Sequence, residues 1–79
     1  MTYVYILQSL AYSDRYYVGV TQNLRVRLKK HNAGEVPYTS KYAPWLIKTY
    51  IAFSDGTQAF AFERYLKSPS GRAFAKKRL

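Results

Sequence analysis

One stretch constrains the fold of this chain more than any other. Tyr16-Tyr17-Val18-Gly19-Val20-Thr21 runs directly into Gln22-Asn23-Leu24-Arg25-Val26-Arg27-Leu28-Lys29-Lys30-His31. Aromatic and β-branched residues fill the first half, which predicts a strand interrupted once by Gly19. The second half reads as a helix. Asn23, with Thr21, offers a side-chain oxygen to the free amides of a first turn, while Asn32 and Gly34 are stop signals at the far end. Helical spacing sets Leu24, Arg27, Leu28 and His31 on one stripe that should face the rest of the fold. Two of those four side chains carry polar heads. An arginine turned inward is costly unless it is paired or faces a cleft. The plain alternative is an aliphatic stem snorkelling past a leucine.

With 79 residues the chain makes one domain with a small core. It has no cysteine and one histidine, which excludes disulfides, thiolate metal sites and multi-histidine zinc chemistry. Nine tyrosines are more than such a core needs, and a tyrosine is useful where one end of the ring is buried and the other meets water or phosphate. Thirteen Lys or Arg against four acids give a formal charge of +9. A field of that size draws polyanions, chiefly nucleic acid. It would also draw an anionic membrane, but no helix pairs a broad apolar face with a basic one, so no membrane role is expected. The first thirteen residues are uncharged, yet too few to span a bilayer, and no basic stretch precedes them. A cytoplasmic location is expected. The acids Asp14, Glu35, Asp55 and Glu63 are too few for a two-metal nuclease. Metal chemistry here should therefore use one ion held by few protein ligands.

Tyr3 to Ser9 reads as a strand with Tyr3, Tyr5 and Leu7 on one face and Val4 and Ile6 on the other. Leu10 to Asp14 should turn it into the second strand, from Arg15 to Thr21. An even-sum register then sets Tyr5 and Tyr17 side by side, with Gly19 leaving an open hollow nearby. Equally, those rings could pack as phenylalanines do. Asn32 to Pro44 reads as a loop. In it Tyr38, Lys41 and Tyr42 alternate aromatic and basic groups, which suits bases and phosphates or simply pins a surface loop. Trp45 to Phe53 is a third strand. Ser54 to Thr57 offers turn and cap chemistry for a helix from Gln58 to Lys67, with Ala59, Phe62, Glu63 and Leu66 inward. Glu63 repeats the anomaly of Arg27. A buried carboxylate needs a partner, either Arg27 in a structural salt bridge or a hard cation such as Mg²⁺. Ser68-Pro69 starts a last helix whose Arg72, Lys76, Lys77 and Arg78 form a basic end, solvated or extending a phosphate-contacting surface.

The order ββαβαα, with two inward charges and two tyrosines able to converge, resembles the GIY-YIG nuclease superfamily. Its first signature is similar to Tyr3-Val4-Tyr5 and its second to Tyr17-Val18-Gly19. The spacing on to Arg27 and His31 resembles its helix, and Phe62-Glu63 its later glutamate. Small single-domain bacterial members end in sequences similar to Glu63-Arg64-Tyr65-Leu66-Lys67 and Gly71-Arg72. Two departures concern strand packing more than reacting groups. Tyr3 stands where the first signature has glycine, and Val4 and Val18 stand where the signatures have isoleucine. Some members also use an asparagine near the chain end, and none follows Asn32 here.

The resemblance implies an α/β chain of the α+β type, a central three-stranded antiparallel sheet flanked by three helices in a single domain over residues 1–79. It implies a metal-dependent endonuclease that hydrolyses phosphodiester bonds in DNA, whether branched, damaged or single-stranded, with RNA less favoured. By this resemblance Glu63 ligates one Mg²⁺ or Mn²⁺, Tyr17 is the general base, Tyr5 and Arg27 hold the scissile phosphate, and His31 assists nearby. A phenol ionises near pH 10, so a base of this kind needs the metal, Arg27 and the positive field. Nucleic acid would meet Arg25, Lys29, Lys30, Tyr38, Lys41, Lys67, Arg72, Lys76 and Lys77. With no added recognition module, specificity is poor or comes from a protein partner. The rival readings are a non-catalytic basic nucleic-acid-binding module on the same scaffold, and an adaptor docked on a nucleoprotein complex.

Overall fold

Val4 to Leu7 form an uninterrupted buried run within the strand β1 (Thr2–Ser9). Because alternate residues of a strand face opposite ways, such a run must lie between two layers. A computed structural model describes residues 1–79 and puts β1 at the centre of the sheet. The strands β2 (Tyr16–Thr21) and β3 (Trp45–Phe53) flank it, both antiparallel, in the order β2-β1-β3. The helices are α1 (Leu24–Asn32), α2 (Pro37–Ser40), α3 (Gly56–Leu66) and α4 (Pro69–Arg78).

Each face of β1 has its own core. Val4 and Ile6 pack with Val18, Val20 and Phe53 beneath Ala59, Phe62 and Leu66 of α3 and Ala75 of α4. On the other face Tyr5, Leu7 and Trp45 pack with Tyr17 and Ile47 beneath Leu24 and Leu28 of α1. The helix stripe read from spacing is the one that turns inward: Leu24, Arg27 and Leu28 are half-buried and His31 is fully buried.

Boundaries follow local hydrogen bonding. β2 begins at Tyr16, one residue later than expected, because the Arg15 amide donates to the Tyr12 carbonyl inside the turn (2.9 Å). The caps are side-chain oxygens: Asn23 accepts from the Val26 amide (3.1 Å), Asp55 from Thr57 (2.8 Å) and Ser68 from Gly71 (3.1 Å). With Asp55 as its cap, α3 starts at Gly56 rather than Gln58 and ends at Leu66.

The segment from Asn32 to Pro44 is more ordered than its composition predicts. It contains the single helical turn α2, a fourth helix beyond the three expected. The Asn32 side chain clasps Trp45, accepting from its amide (2.6 Å) and donating to its carbonyl (3.1 Å). The Trp45 indole donates to the Thr39 carbonyl (3.0 Å), which pulls α2 against the sheet. Tyr42 braces this segment on the hairpin, with the Arg15 guanidinium 4.9 Å above its ring.

Gly71 allows the close approach of α3 and α4. A Cβ there would lie on the Tyr65 carbonyl oxygen and 2.6 Å from Leu66 Cα. These are backbone atoms and cannot swing aside. Gly71→Ala should therefore lower stability by about 1–3 kcal/mol, read as an earlier urea midpoint with an unchanged slope.

Candidate active site

The site is built where the two halves of the Tyr16–His31 segment meet β1. The register is even-sum, as the pattern requires, but it pairs Tyr5 with Gly19 and Leu7 with Tyr17. Tyr5 and Tyr17 are thus diagonal neighbours rather than directly opposed, with ring centroids 6.4 Å apart. The hollow expected above Gly19 is not open. The Tyr5 phenol occupies it, so that a Cβ on Gly19 would come within 2.5 Å of Tyr5 Cζ. Glycine here makes room for a side chain of the protein itself.

From that position Tyr5 Oη joins a buried relay. Arg27 Nε donates to it (3.4 Å), it lies 3.0 Å from His31 Nε2, and His31 Nδ1 lies 2.7 Å from Thr39 Oγ1. The Thr39 hydroxyl has one hydrogen, which it donates to the Val36 carbonyl (3.3 Å). Its oxygen must then accept from His31 Nδ1–H, which leaves Nε2 as the acceptor for the Tyr5 hydroxyl. The relay runs one way, from Arg27 through Tyr5 and His31 to Thr39.

Charge states fit this polarity. Burial, and next the Arg27 charge, push the His31 pKa below its usual value, so the ring is neutral near pH 7. Burial raises the Tyr5 pKa, opposed by its hydrogen bond from Arg27. The Arg27 pKa is raised, first by the Tyr5 hydrogen bond and further by the charge of Tyr5 and Tyr17. A permanent guanidinium therefore lies beside both phenols.

Glu63 reaches this group from α3 but does not pair with Arg27. Its Oε2 is 2.9 Å from Lys67 Nζ, one helical turn on, and its side chain is 22 % exposed. Of the two partners the sequence leaves open for Glu63, the Arg27 salt bridge does not form, and Arg27 Nε is engaged with Tyr5 instead. Lys67 Nζ also lies 5.8 Å from the centroid of the Tyr17 ring, which ties the carboxylate to the Tyr17 side of the group. Glu63 is also among the charges that raise the Tyr5 pKa. Tyr5, Tyr17 and Arg27 thus form one cluster, and Glu63 approaches its Tyr17 side through Lys67. Tyr5 is sealed at 2 % exposure, whereas Tyr17, Arg27 and Glu63 are only partly covered.

The other candidates divide. Exposed Tyr38 leans on Tyr17 with centroids 6.3 Å apart, while Arg25, Lys29, Lys30 and Lys41 are exposed around α1 and the following segment. Arg72, Lys76 and Lys77 lie on α4, which packs on the opposite face of the sheet from α1. Thr39 had no signal in the sequence. It lies in a stretch without periodicity, and only the packing of α2 brings its hydroxyl to His31.

No group of three or more His, Asp or Glu side chains is gathered anywhere. An all-protein metal cage is therefore absent. The donor set that does exist is one partly open carboxylate with an ammonium already on its oxygen. A hard cation held there by one carboxylate, waters and a substrate phosphate would have to displace that ammonium from the oxygen. Comparison with curated proteins finds none that matches the chain. A family model described as the GIY-YIG catalytic domain matches residues 1–78. That match covers nearly the whole length and agrees with a β2-β1-β3 sheet carrying both tyrosine signatures, so this chain belongs to the GIY-YIG family of nuclease domains.

Proposed function

We propose that the protein is a metal-dependent endonuclease that hydrolyses phosphodiester bonds in DNA at the Tyr17 cluster. The observation that supports this reading is the cluster of Tyr5, Tyr17 and Arg27 from β1, β2 and α1, with Glu63 of α3 reaching its Tyr17 side through Lys67. Arg27 uses Nε on Tyr5, so its terminal N–H groups are the ones that take the oxygens of the scissile phosphate. Tyr5 is too buried to take phosphate itself, so it acts by orienting Arg27, and His31 and Thr39 act by orienting Tyr5. Tyr17, acting as the phenolate, takes the proton of the attacking water at Oη as the water oxygen bonds to phosphorus and the bond to the leaving sugar oxygen breaks. That leaving oxygen takes a proton from solvent water. Arg27 and Lys67, both beside Tyr17, stabilise the negative charge that develops on the phosphorane. Glu63 would hold one Mg²⁺ or Mn²⁺, which polarises a phosphate oxygen when bound. Exposed Lys and Arg around α1 supply attraction to the backbone. A cytoplasmic setting and a protein partner that supplies specificity complete this reading.

The test is cleavage of labelled single-stranded, duplex and branched DNA, and of RNA, with Mg²⁺, Mn²⁺ or EDTA. Cutting should stop in EDTA and should fall roughly 10²- to 10⁴-fold in Tyr17→Phe, the usual contribution of a general base, with binding kept. Binding without any metal-dependent cut in the wild-type protein would favour the non-catalytic module instead.

A further inference from the structure

The sheet face that carries Tyr5 is only half covered. α1 packs over Leu7, Tyr17 and Trp45, but it leaves the Tyr3 end of β1 and the neighbouring part of β3 open. Tyr50 pairs directly with Tyr5 across the strands and therefore shares its face, yet it is 55 % exposed. Tyr3 and Tyr50 meet edge to face, with centroids 5.9 Å apart and planes at 73°. Together with Gln22, Asn23 and Leu24 they line an open groove of about 300 Å³. No carboxylate lines it.

We propose that this groove is the seat of one unpaired nucleobase next to the scissile phosphate. The proposal rests on the nuclease reading above for its position in the substrate, but not for its chemistry. Aromatic faces stack on any base, and side-chain amides can meet the edges of that base. Asn23 commits its oxygen to capping the Val26 amide, which leaves its NH₂ group as a donor, and Gln22 supplies both a donor and an acceptor. The charge of +9 selects a polyanion over an apolar or cationic ligand of the same shape. Placement is equally specific. Tyr3 lies two residues from Tyr5 on one strand face, roughly 7 Å away. Asn23 precedes Arg27 by one helical turn, roughly 6 Å, and the Arg27 amide donates to the Asn23 carbonyl. A strand with its phosphate on Arg27 thus brings a neighbouring base to the Tyr3 ring. Tyr3 stands where the family signature has glycine, so the seat belongs to this chain rather than to the signature.

The experiment measures binding in EDTA, where nothing is cut, to a labelled single-stranded oligonucleotide and to a blunt duplex of the same sequence. A series of oligonucleotides carries one abasic residue at successive positions. Tyr3→Ala and Tyr50→Ala should weaken single-strand binding by roughly 5- to 100-fold, the range for loss of one base–aromatic stack, and leave duplex binding within about twofold. Tyr3→Phe should bind as the wild type does, which separates loss of the ring from loss of the hydroxyl. One abasic position should weaken the wild type by a similar factor and leave Tyr3→Ala unchanged. Equal losses on single strand and duplex, or an abasic effect that persists in Tyr3→Ala, would overturn the seat. Cleavage in Mg²⁺ without abasic dependence sinks the seat alone. Abasic dependence in a protein that never cuts sinks the nuclease reading and leaves the seat standing.

Discussion

Glu63→Gln should lower metal-dependent cleavage by roughly a thousandfold or more while binding of nucleic acid in EDTA stays near the wild-type level. The reason lies in the distribution of acids. Asp55 caps α3, Asp14 sits in the hairpin turn and Glu35 lies in the segment after α1, so no other carboxylate can substitute. Glutamine keeps the size of the side chain but loses the charge that holds a hard cation. The fold should tolerate the change. The Glu63–Lys67 bridge is half open to water on the lysine side, and exposed i,i+4 pairs of this kind contribute well under about 1 kcal/mol. Melting temperature and binding should therefore move little while the rate collapses. Time courses over a range of Mg²⁺ and Mn²⁺ concentrations check this. A Glu63→Gln protein that cuts within about tenfold of the wild type would remove the carboxylate from the mechanism.

His31→Ala should bring the domain close to unfolding. The ring is fully buried, and it is the only partner linking Tyr5 to Thr39. Truncating a large buried side chain costs about 2–5 kcal/mol, and stranding the Tyr5 hydroxyl adds about 1–3 kcal/mol. A domain of this length has a total stability on the order of 5–10 kcal/mol. Chemical denaturation of His31→Ala should show a midpoint shifted far below the wild type, or no cooperative transition at all.

The same burial gives the wild-type protein a pH signature. The His31 pKa is lower in the folded state than its unfolded value near 6.5, so below that value the unfolded chain binds more protons. The stability held by the neutral ring is complete above pH 6.5 and is lost as pH falls through it toward the lowered folded value. His31 is the sole histidine, and ordinary carboxylates titrate well below this window. Melting temperature should therefore drop between pH 7.5 and 5 in the wild type. In His31→Gln it should be lower throughout and nearly flat over that range. A wild-type curve as flat as that of the variant would show that the ring is not held neutral.

How much of this was legible depended on the range of the interaction. The strand alternation of Tyr3 to Ser9, the stripe Leu24, Arg27, Leu28 and His31, and the caps Asn23 and Ser68 are local patterns, and they stand in the structure as read. Inward charge at Arg27 and Glu63 was legible too, because each breaks a hydrophobic period. The partners of those charges were not. Glu63 met Lys67, four residues on at the end of its own helix, a pair that i,i+4 spacing permits but cannot rank against Arg27 on another helix.

The sequence by itself determined the elements, the sign of the field, and the few side chains with chemistry to offer, since these follow from periods of two and 3.6 residues and from residue type. Tertiary structure alone decided the register that lays Tyr5 across Gly19, the turn of α2 that brings Thr39 to His31, and the bare half-face beside Tyr50. Each of these joins residues distant in the chain. Only packing of the whole domain selects such contacts from the many that local preference leaves equal.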